Sequence, residues 1–147
     1  MTFRGEWRPG VIEGVLAKAT VTAEQSSVRA LTQLALAIER KAVENASQGS
    51  HPRGTPTPAS RGGGPAVISG TLRRAITHTP VEGNLATELS CMVGMAAGYS
   101  SPYSDTPASR YASYLEHVWD YPFLGPAFDF GVHTAGPLLF AESFRFW

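Results

Sequence analysis

The stretch from Val11 to about Ala46 constrains the fold more than any other part of the chain, because it contains no proline. Alanine, leucine, glutamate, lysine and glutamine dominate it, and these residues favour helices. Its apolar residues recur at helical spacing; they are Val28, Leu31, Ala35, Ile38 and Ala42. One continuous helix would be about 54 Å long at 1.5 Å per residue, which exceeds the width of a small domain. We therefore expect part of it to project or to contact another subunit. Two core helices with a break at the β-branched residues 20–22 are the alternative.

Residues 47–65 differ sharply in composition from this stretch. They are almost entirely Gly, Pro, Ser, Thr and Arg, so they cannot bury enough apolar surface to offset the entropy lost on ordering. We predict a flexible loop here, within a single domain that spans residues 1–147. Loops of this length are usually functional or disordered, and we expect this one to become ordered against a neighbouring subunit.

Residues 69–93 predict a short helix followed by a β-hairpin. The helix covers about residues 72–76, with Ser69 or Thr71 as its N-cap. Strand-like alternation in residues 76–81 and 85–93 places Gly83-Asn84 at the hairpin turn. We expect the long N-terminal helix to pack on this small antiparallel sheet, with further short helices and long loops. This combination is an α+β fold.

Residues 111–128, YASYLEHVWDYPFLGPAF, predict a helix that runs into an aromatic corner. The apolar residues with helical spacing are Tyr111, Tyr114, Leu115 and Val118. The chain must leave the helix before Pro122, because a residue that precedes proline is pushed out of the α region. Pro126 suits the start of a second helix. We expect Phe123 and Leu124 to be buried against the hairpin and the first helix.

The chain after Phe128 stays apolar, and Gly136-Pro137 is expected to divide it into two short pieces. Its last eight residues carry four aromatic side chains: Phe140, Phe144, Phe146 and Trp147. Such a patch promotes association when water surrounds it. Aromatic residues dominate interface energetics, so we expect a neighbouring subunit or neck protein to cover this segment, and coverage by the chain's own domain is the alternative.

The charge balance limits the possible partners. Twelve basic and twelve acidic side chains cancel, so no global field attracts nucleic acid. The local basic residues, which are Arg53, Arg61, Arg73 and Arg74, predict at most supporting contacts with DNA. The single cysteine, Cys91, cannot form an intrachain disulfide and favours a reducing cytosol and an inert thiol. No apolar stretch is long enough to span a bilayer and the N-terminus lacks a signal core, so we expect a soluble protein without a membrane partner.

The sequence shows no arrangement that is typical of catalysis. The glycines at 62–64, followed by Ser69-Gly70-Thr71, lack the lysine that a phosphate-binding loop requires. The four histidines have no metal-ligand spacing. Glu116 and His117 are the best acid–base candidates, but adjacent side chains point about 100° apart around a helix. We therefore expect neither an enzyme nor a cofactor nor a metal, and a small enzyme that uses Glu116 and His117 is the alternative.

Three segments, in this order, resemble motifs of the tail-completion, or tail-to-head joining, proteins of long-tailed bacteriophages. Residues 67–76 (VISGTLRRAI) resemble P-x-x-T-G-x-L-R-x-S-I, with Ser69 where the family usually has threonine. Residues 111–117 (YASYLEH) resemble Y-A-x-Y-[LV]-E-x-G, and residues 122–128 (PFLGPAF) resemble P-F-L-x-P-A-[LF]. The resemblance marks as interface candidates Ser69, Gly70, Leu72, Arg73, Arg74, Tyr111, Tyr114, Glu116, Pro122, Phe123, Leu124 and Pro126, and the C-terminal aromatics Phe144, Phe146 and Trp147 join them.

The resemblance implies a structural virion protein. Proteins of that family form a ring, usually sixfold, at the junction of tail and head connector, and DNA passes through its centre. The implied partners are other copies of the chain and the neighbouring neck proteins, namely the head-closure (stopper) protein, the tail terminator and the tail tube. The implied location is the neck of the virion, after assembly in the host cytoplasm. The alternatives are another neck component, such as a tail terminator or a head-closure protein, and a host-encoded binding module.

Overall fold

The structure of the protein, a computed structural model, describes residues 11–145. Phe146 and Trp147 therefore lie outside the described residues, as do residues 1–10. The helices are α1 (Val11–Asn45), α2 (Thr71–Ala75), α3 (Ala108–His117), α4 (Leu124–Phe130) and α5 (Gly136–Ser143), with a π-helical turn at Gly131–Ala135 between the last two. The strands are β1 (Ile76–His78), β2 (Glu82–Gly83), β3 (Leu89–Ser90) and β4 (Val93–Met95).

Helix α1 is continuous over 35 residues, so the prediction of one long helix is confirmed and a break at residues 20–22 is wrong. The hydroxyls of Thr20 and Thr22 donate to the carbonyls of Leu16 and Lys18, each at 2.9 Å. These bonds satisfy the threonine hydroxyls within the helix. The weaker propensity of β-branched residues is therefore not enough to interrupt it.

Only the second half of α1 belongs to the hydrophobic core. Ala30, Ala35, Ile38 and Ala42 are buried there, and the last three follow the i, i+3 and i, i+4 spacings that line one helical face. This face contacts β1, β3 and β4 of the sheets and also α4 and α5. Most of these residues are alanines, and small side chains allow the neighbouring elements to approach closely. The α+β arrangement expected from the sequence, a long helix on a small antiparallel sheet, is confirmed.

The strands form two short antiparallel pairs, β1 with β4 and β2 with β3. The predicted turn at Gly83-Asn84 is wrong, because Gly83 pairs with Leu89 and the turn covers residues 84–88. The Asn84 side-chain oxygen accepts the N–H groups of Ala86 and Thr87, at 2.9 and 3.1 Å. An asparagine that bonds to the backbone two or three residues later starts such a turn by itself.

The C-terminal helices form one helical run, so the predicted division at Gly136-Pro137 is also wrong. Gly136 N–H donates to the Gly131 carbonyl, a bond that spans five residues. In a regular α-helix the ring of Pro137 would clash with the carbonyl four residues earlier. The wider π-helical turn lies directly before the proline. The helical direction is thus kept through the proline.

The glycine run at 62–64 makes a close approach to α1. A Cβ atom on Gly64 would lie 1.6 Å from the Asn45 carbonyl oxygen, so any side chain here would force the loop away from the helix. The loop is also bonded at its ends, since Gln48 N–H donates to the Pro65 carbonyl at 3.1 Å and Gly62 N–H donates to the Asp120 carbonyl at 2.8 Å. Residues 52–58 between these anchors are exposed. Flexibility of the 47–65 loop remains a prediction.

Candidate functional site

The corner between α3 and α4 is organised by the carboxylate of Glu116. Its Oε2 accepts the N–H groups of Phe123 and Leu124, at 2.9 and 3.1 Å, and its Oε1 accepts that of Gly125 at 2.7 Å. These are the first free donors of helix α4, and Pro126, which comes next, has no N–H. A negative charge is also favoured at a helix N-terminus. Glu116 therefore caps a helix that begins eight residues after it.

This capping role occupies Glu116, one of the two candidates for acid–base chemistry. Both oxygens of Glu116 face backbone donors, and the exposed His117 lies next to it near the end of α3. Within residues 13–145, no group of three or more His, Cys, Asp or Glu side chains could hold a metal ion. Burial raises the pKa of the Cys91 thiol, which lowers its thiolate fraction and hence its reactivity.

Phe123 anchors the corner to the core. Its side chain is 0% exposed and packs in the cluster that includes Ile38 of α1 and Leu115 of α3. The Asn45 side-chain amide donates to the Phe123 carbonyl at 3.0 Å. Burial of Phe123 is thus confirmed, whereas Leu124 is only half-buried against the same cluster. Of the two prolines of this motif, Pro122 is half-buried and Pro126 is exposed.

A cleft of about 500 Å³ lies between α2, α3, the 47–65 loop with the residues that follow it, and the loop directly before α3. Six interface candidates from two of the three motif segments line it; they are Ser69, Gly70, Leu72, Arg73, Tyr111 and Tyr114. Arg74 does not line it. The remaining lining residues are Ala46, Arg53, residues 66–68, Thr71, Ser101, Tyr103, Ser104, Thr106, Ala108, Arg110 and Trp119. The volume falls in the range of about 300–1,000 Å³ that is typical of ligand sites.

One wall of the cleft is aromatic. Tyr114 stacks on Trp119, with ring centroids 5.6 Å apart, and Tyr111 meets the same indole edge-on at 5.9 Å. Tyr114 and Trp119 remain 39% and 46% exposed, so large apolar surface faces the opening. Burial raises the pKa of the Tyr111 phenol above its ordinary value, because low-dielectric surroundings disfavour the phenolate.

The other notable property of the cleft is its charge. Arg53, Arg73 and Arg110 line it, and none of the described lining residues is acidic. Sequence reasoning grouped Arg53 and Arg73 with Arg61 and Arg74, but neither Arg61 nor Arg74 lines the cleft. The third arginine of the cleft is Arg110. The Arg53 guanidinium lies 4.9 Å from the ring centroid of Tyr103, a cation–π contact that holds the arginine near the opening.

The start of α2 shapes the floor of the cleft. The residue that precedes the helix is Gly70, at φ 75°, a left-handed conformation that favours glycine. The predicted cap at Ser69 or Thr71 is therefore displaced by one residue. Ser69 Oγ still accepts the Thr71 N–H, at 3.4 Å, and lies 2.9 Å from the Thr71 hydroxyl. The glycine of the S-G-T segment is explained by this backbone conformation.

Of the C-terminal aromatic candidates, Phe144 is the one among the described residues. Phe144 is half-buried at the end of α5, and Phe140 in the same helix is exposed. Neither residue lines the cleft.

The described residues contain no helix with both the length and the apolar character needed to cross a membrane. Comparisons of the chain with protein families, with curated proteins and with solved structures gave no match.

Proposed function

We propose that this chain is a structural subunit of the neck of a long-tailed bacteriophage, where copies of it form a ring between the tail and the head connector. The resemblance of residues 67–76, 111–117 and 122–128 to the tail-completion proteins supports this setting. The observation that carries the assembling role is the exposed half of α1. In this role the chain needs no catalytic group, and DNA is only the content of the channel.

The exposed half of α1 extends well beyond the core. Among residues 13–45 of the helix the first buried one is Ala30, so residues 13–29 form about 25 Å of helix outside the core at 1.5 Å per residue. Val15, Leu16 and Val21 on this half are 61%, 60% and 56% exposed. They point to different sides of the helix, since each residue turns the direction by about 100°. Apolar groups on several sides of a helix are typical of one that is surrounded by other chains.

Self-assembly can be measured directly. We expect the purified protein to sediment as a closed oligomer and to appear as rings in electron micrographs. The double variant Val15→Asp/Val21→Asp should remain monomeric with an unchanged circular dichroism spectrum, because the charges make burial of this helix costly. Arg40→Asp is the matched control, since it places an aspartate on an exposed position of the packed half. A wild-type protein that stays monomeric at all concentrations would overturn the ring.

The proposed location in the neck requires a second measurement, made on virions. Labelling of the chain in virions should place it at the junction of head and tail in electron micrographs. The position of the label along the neck distinguishes a tail-completion protein from the two alternatives, which are a tail terminator and a head-closure protein. A label on the capsid shell or the tail tip would exclude the neck.

A further inference from the structure

The floor of the cleft contains residues 66–68, where Val67 forms an isolated β-bridge on one side and the chain bends at Ile68. Val67 pairs with Ser50 in a parallel bridge, in which Val67 N–H donates to the Gly49 carbonyl at 2.8 Å and the Val67 carbonyl accepts the His51 N–H at 3.0 Å. Ala66 and Ile68, on either side, make no main-chain hydrogen bond within the described part of the chain. Both residues line the cleft, and main-chain groups without a partner at such an edge are open to pairing with another strand.

The residues around this edge suit an acidic partner. Arg73 and Arg110 line the cleft from two different helices, and Arg53 is already held against Tyr103. Guanidinium groups make strong, geometrically specific hydrogen bonds with carboxylates. No described lining residue is acidic, so nothing in the cleft wall neutralises these charges.

The aromatic wall adds a place for an apolar side chain. Tyr114 and Trp119 present stacked rings that are substantially exposed, and tyrosine, tryptophan and arginine are the residue types enriched at the energetic centres of protein interfaces. A phosphate chain would also satisfy the arginines. However, only a polypeptide offers the alternating donors and acceptors that match the open groups of Ala66 and Ile68.

We propose that the cleft binds an extended acidic segment of a partner protein, which adds as a strand to the edge at residues 66–68. Its carboxylates pair with Arg53, Arg73 and Arg110, and an apolar side chain packs on Tyr114 and Trp119. The inference deepens the proposed function, on which it rests for the existence of a docking partner, and it names the chemistry of that partner's contact segment.

The test uses the full chain and a labelled pool of short peptides with glutamate at alternate positions and randomised apolar residues between them. We expect saturable binding by fluorescence polarisation, and changes in the amide resonances of Ala66 and Ile68 when the pool is added. The same pool with lysine in place of glutamate should bind at least about tenfold more weakly. The variant Arg73→Glu/Arg110→Glu should lose at least about tenfold in affinity for the glutamate pool, since truncated charge pairs cost this much or more.

Arg40→Glu serves as the control, because Arg40 is exposed on α1 and does not line the cleft. It should bind the glutamate pool like the wild type, and circular dichroism should show that every variant is folded. Equal affinity for the two pools, no change at Ala66 and Ile68, or full binding by the double variant would each overturn the proposal. Tighter binding of an oligothymidine of equal length would assign the cleft to nucleic acid instead.

The same samples distinguish the two proposals. If the protein forms rings but does not bind the peptides, only the docking cleft is overturned. If it binds the peptides but does not form rings, only the ring is overturned.

Discussion

Replacement of Glu116 by alanine should destabilise the protein more than the loss of an ordinary surface carboxylate. The carboxylate accepts three backbone N–H groups, from Phe123, Leu124 and Gly125. Gly125 is exposed and Leu124 half-buried, so water can replace the carboxylate at these two donors. Phe123 is 0% exposed, and its N–H would remain without a partner.

The magnitude follows from these three donors. A buried donor without a partner costs about 1–3 kcal/mol, and the loss of a helix cap costs about 1 kcal/mol more. We therefore expect Glu116→Ala to lower the free energy of unfolding by about 2–4 kcal/mol. Glu116→Gln keeps the side-chain length but offers a single acceptor oxygen, so its effect should fall between those of alanine and the wild type.

Urea unfolding followed by circular dichroism is the appropriate assay. With a slope of about 2 kcal/mol per molar urea, the midpoint should fall by about 1–2 M while the slope stays unchanged. Glu13→Ala is the matched control, since Glu13 is an exposed carboxylate in the first turn of α1, and its effect should stay within about 0.5 kcal/mol. Equal midpoints for Glu116→Ala and the wild type would refute the capping role.

Three further predictions concern packing and titration. Phe123→Ala should cost about 3–5 kcal/mol, the usual range for a buried phenylalanine, and an unchanged thermal melt would show that the corner is not part of the core. Gly64→Ala should destabilise by about 1–3 kcal/mol, because its Cβ would meet the Asn45 carbonyl oxygen at 1.6 Å; the control Gly14→Ala, with open space around it, should show no loss. The raised pKa of Tyr111 means that its contribution to stability is complete below the unfolded pKa of about 10 and is lost as the pH rises through the folded pKa. Tyr111→Phe should therefore reduce the fall in urea midpoint between about pH 9 and pH 11, and an identical fall in both proteins would contradict this.

The sequence predicts the parts of the fold that depend on local composition. The absence of proline and the helical spacing of apolar residues are sufficient for α1, and the apolar spacing before Pro122 is sufficient for α3. The hairpin turn was misplaced because Gly83-Asn84 matches a common turn pair, whereas the side chain of Asn84 forms the actual turn. The π-helical turn before Pro137 depends on how the helical run packs on α1. A local sequence pattern does not predict such packing.

The cleft was predictable only in part. Its motif residues are visible in the sequence, and Trp119 lies between two of the motifs. Tyr103 and Arg110, however, come from a segment without a recognisable pattern and meet the others only through tertiary packing. The capping role of Glu116 was missed for a related reason. A standard capping box joins residues three positions apart, whereas here the carboxylate reaches donors seven to nine positions later in the chain.

The hydrogen bond between Asn45 and Phe123 joins positions that are 78 residues apart in the chain. Closing a flexible loop of this length costs about 4 kcal/mol of chain entropy. The chain loses this entropy before the contacts of Phe123 can stabilise it. The buried face of α1 is made before the strands and the helices α4 and α5 that cover it. Until α4 and α5 emerge, part of the surface around Ile38 faces solvent on the nascent chain, where it is open to aggregation or to a chaperone. Folding should consequently be slow for the helix content of the chain, and it should be complete only after residue 143 has left the ribosome.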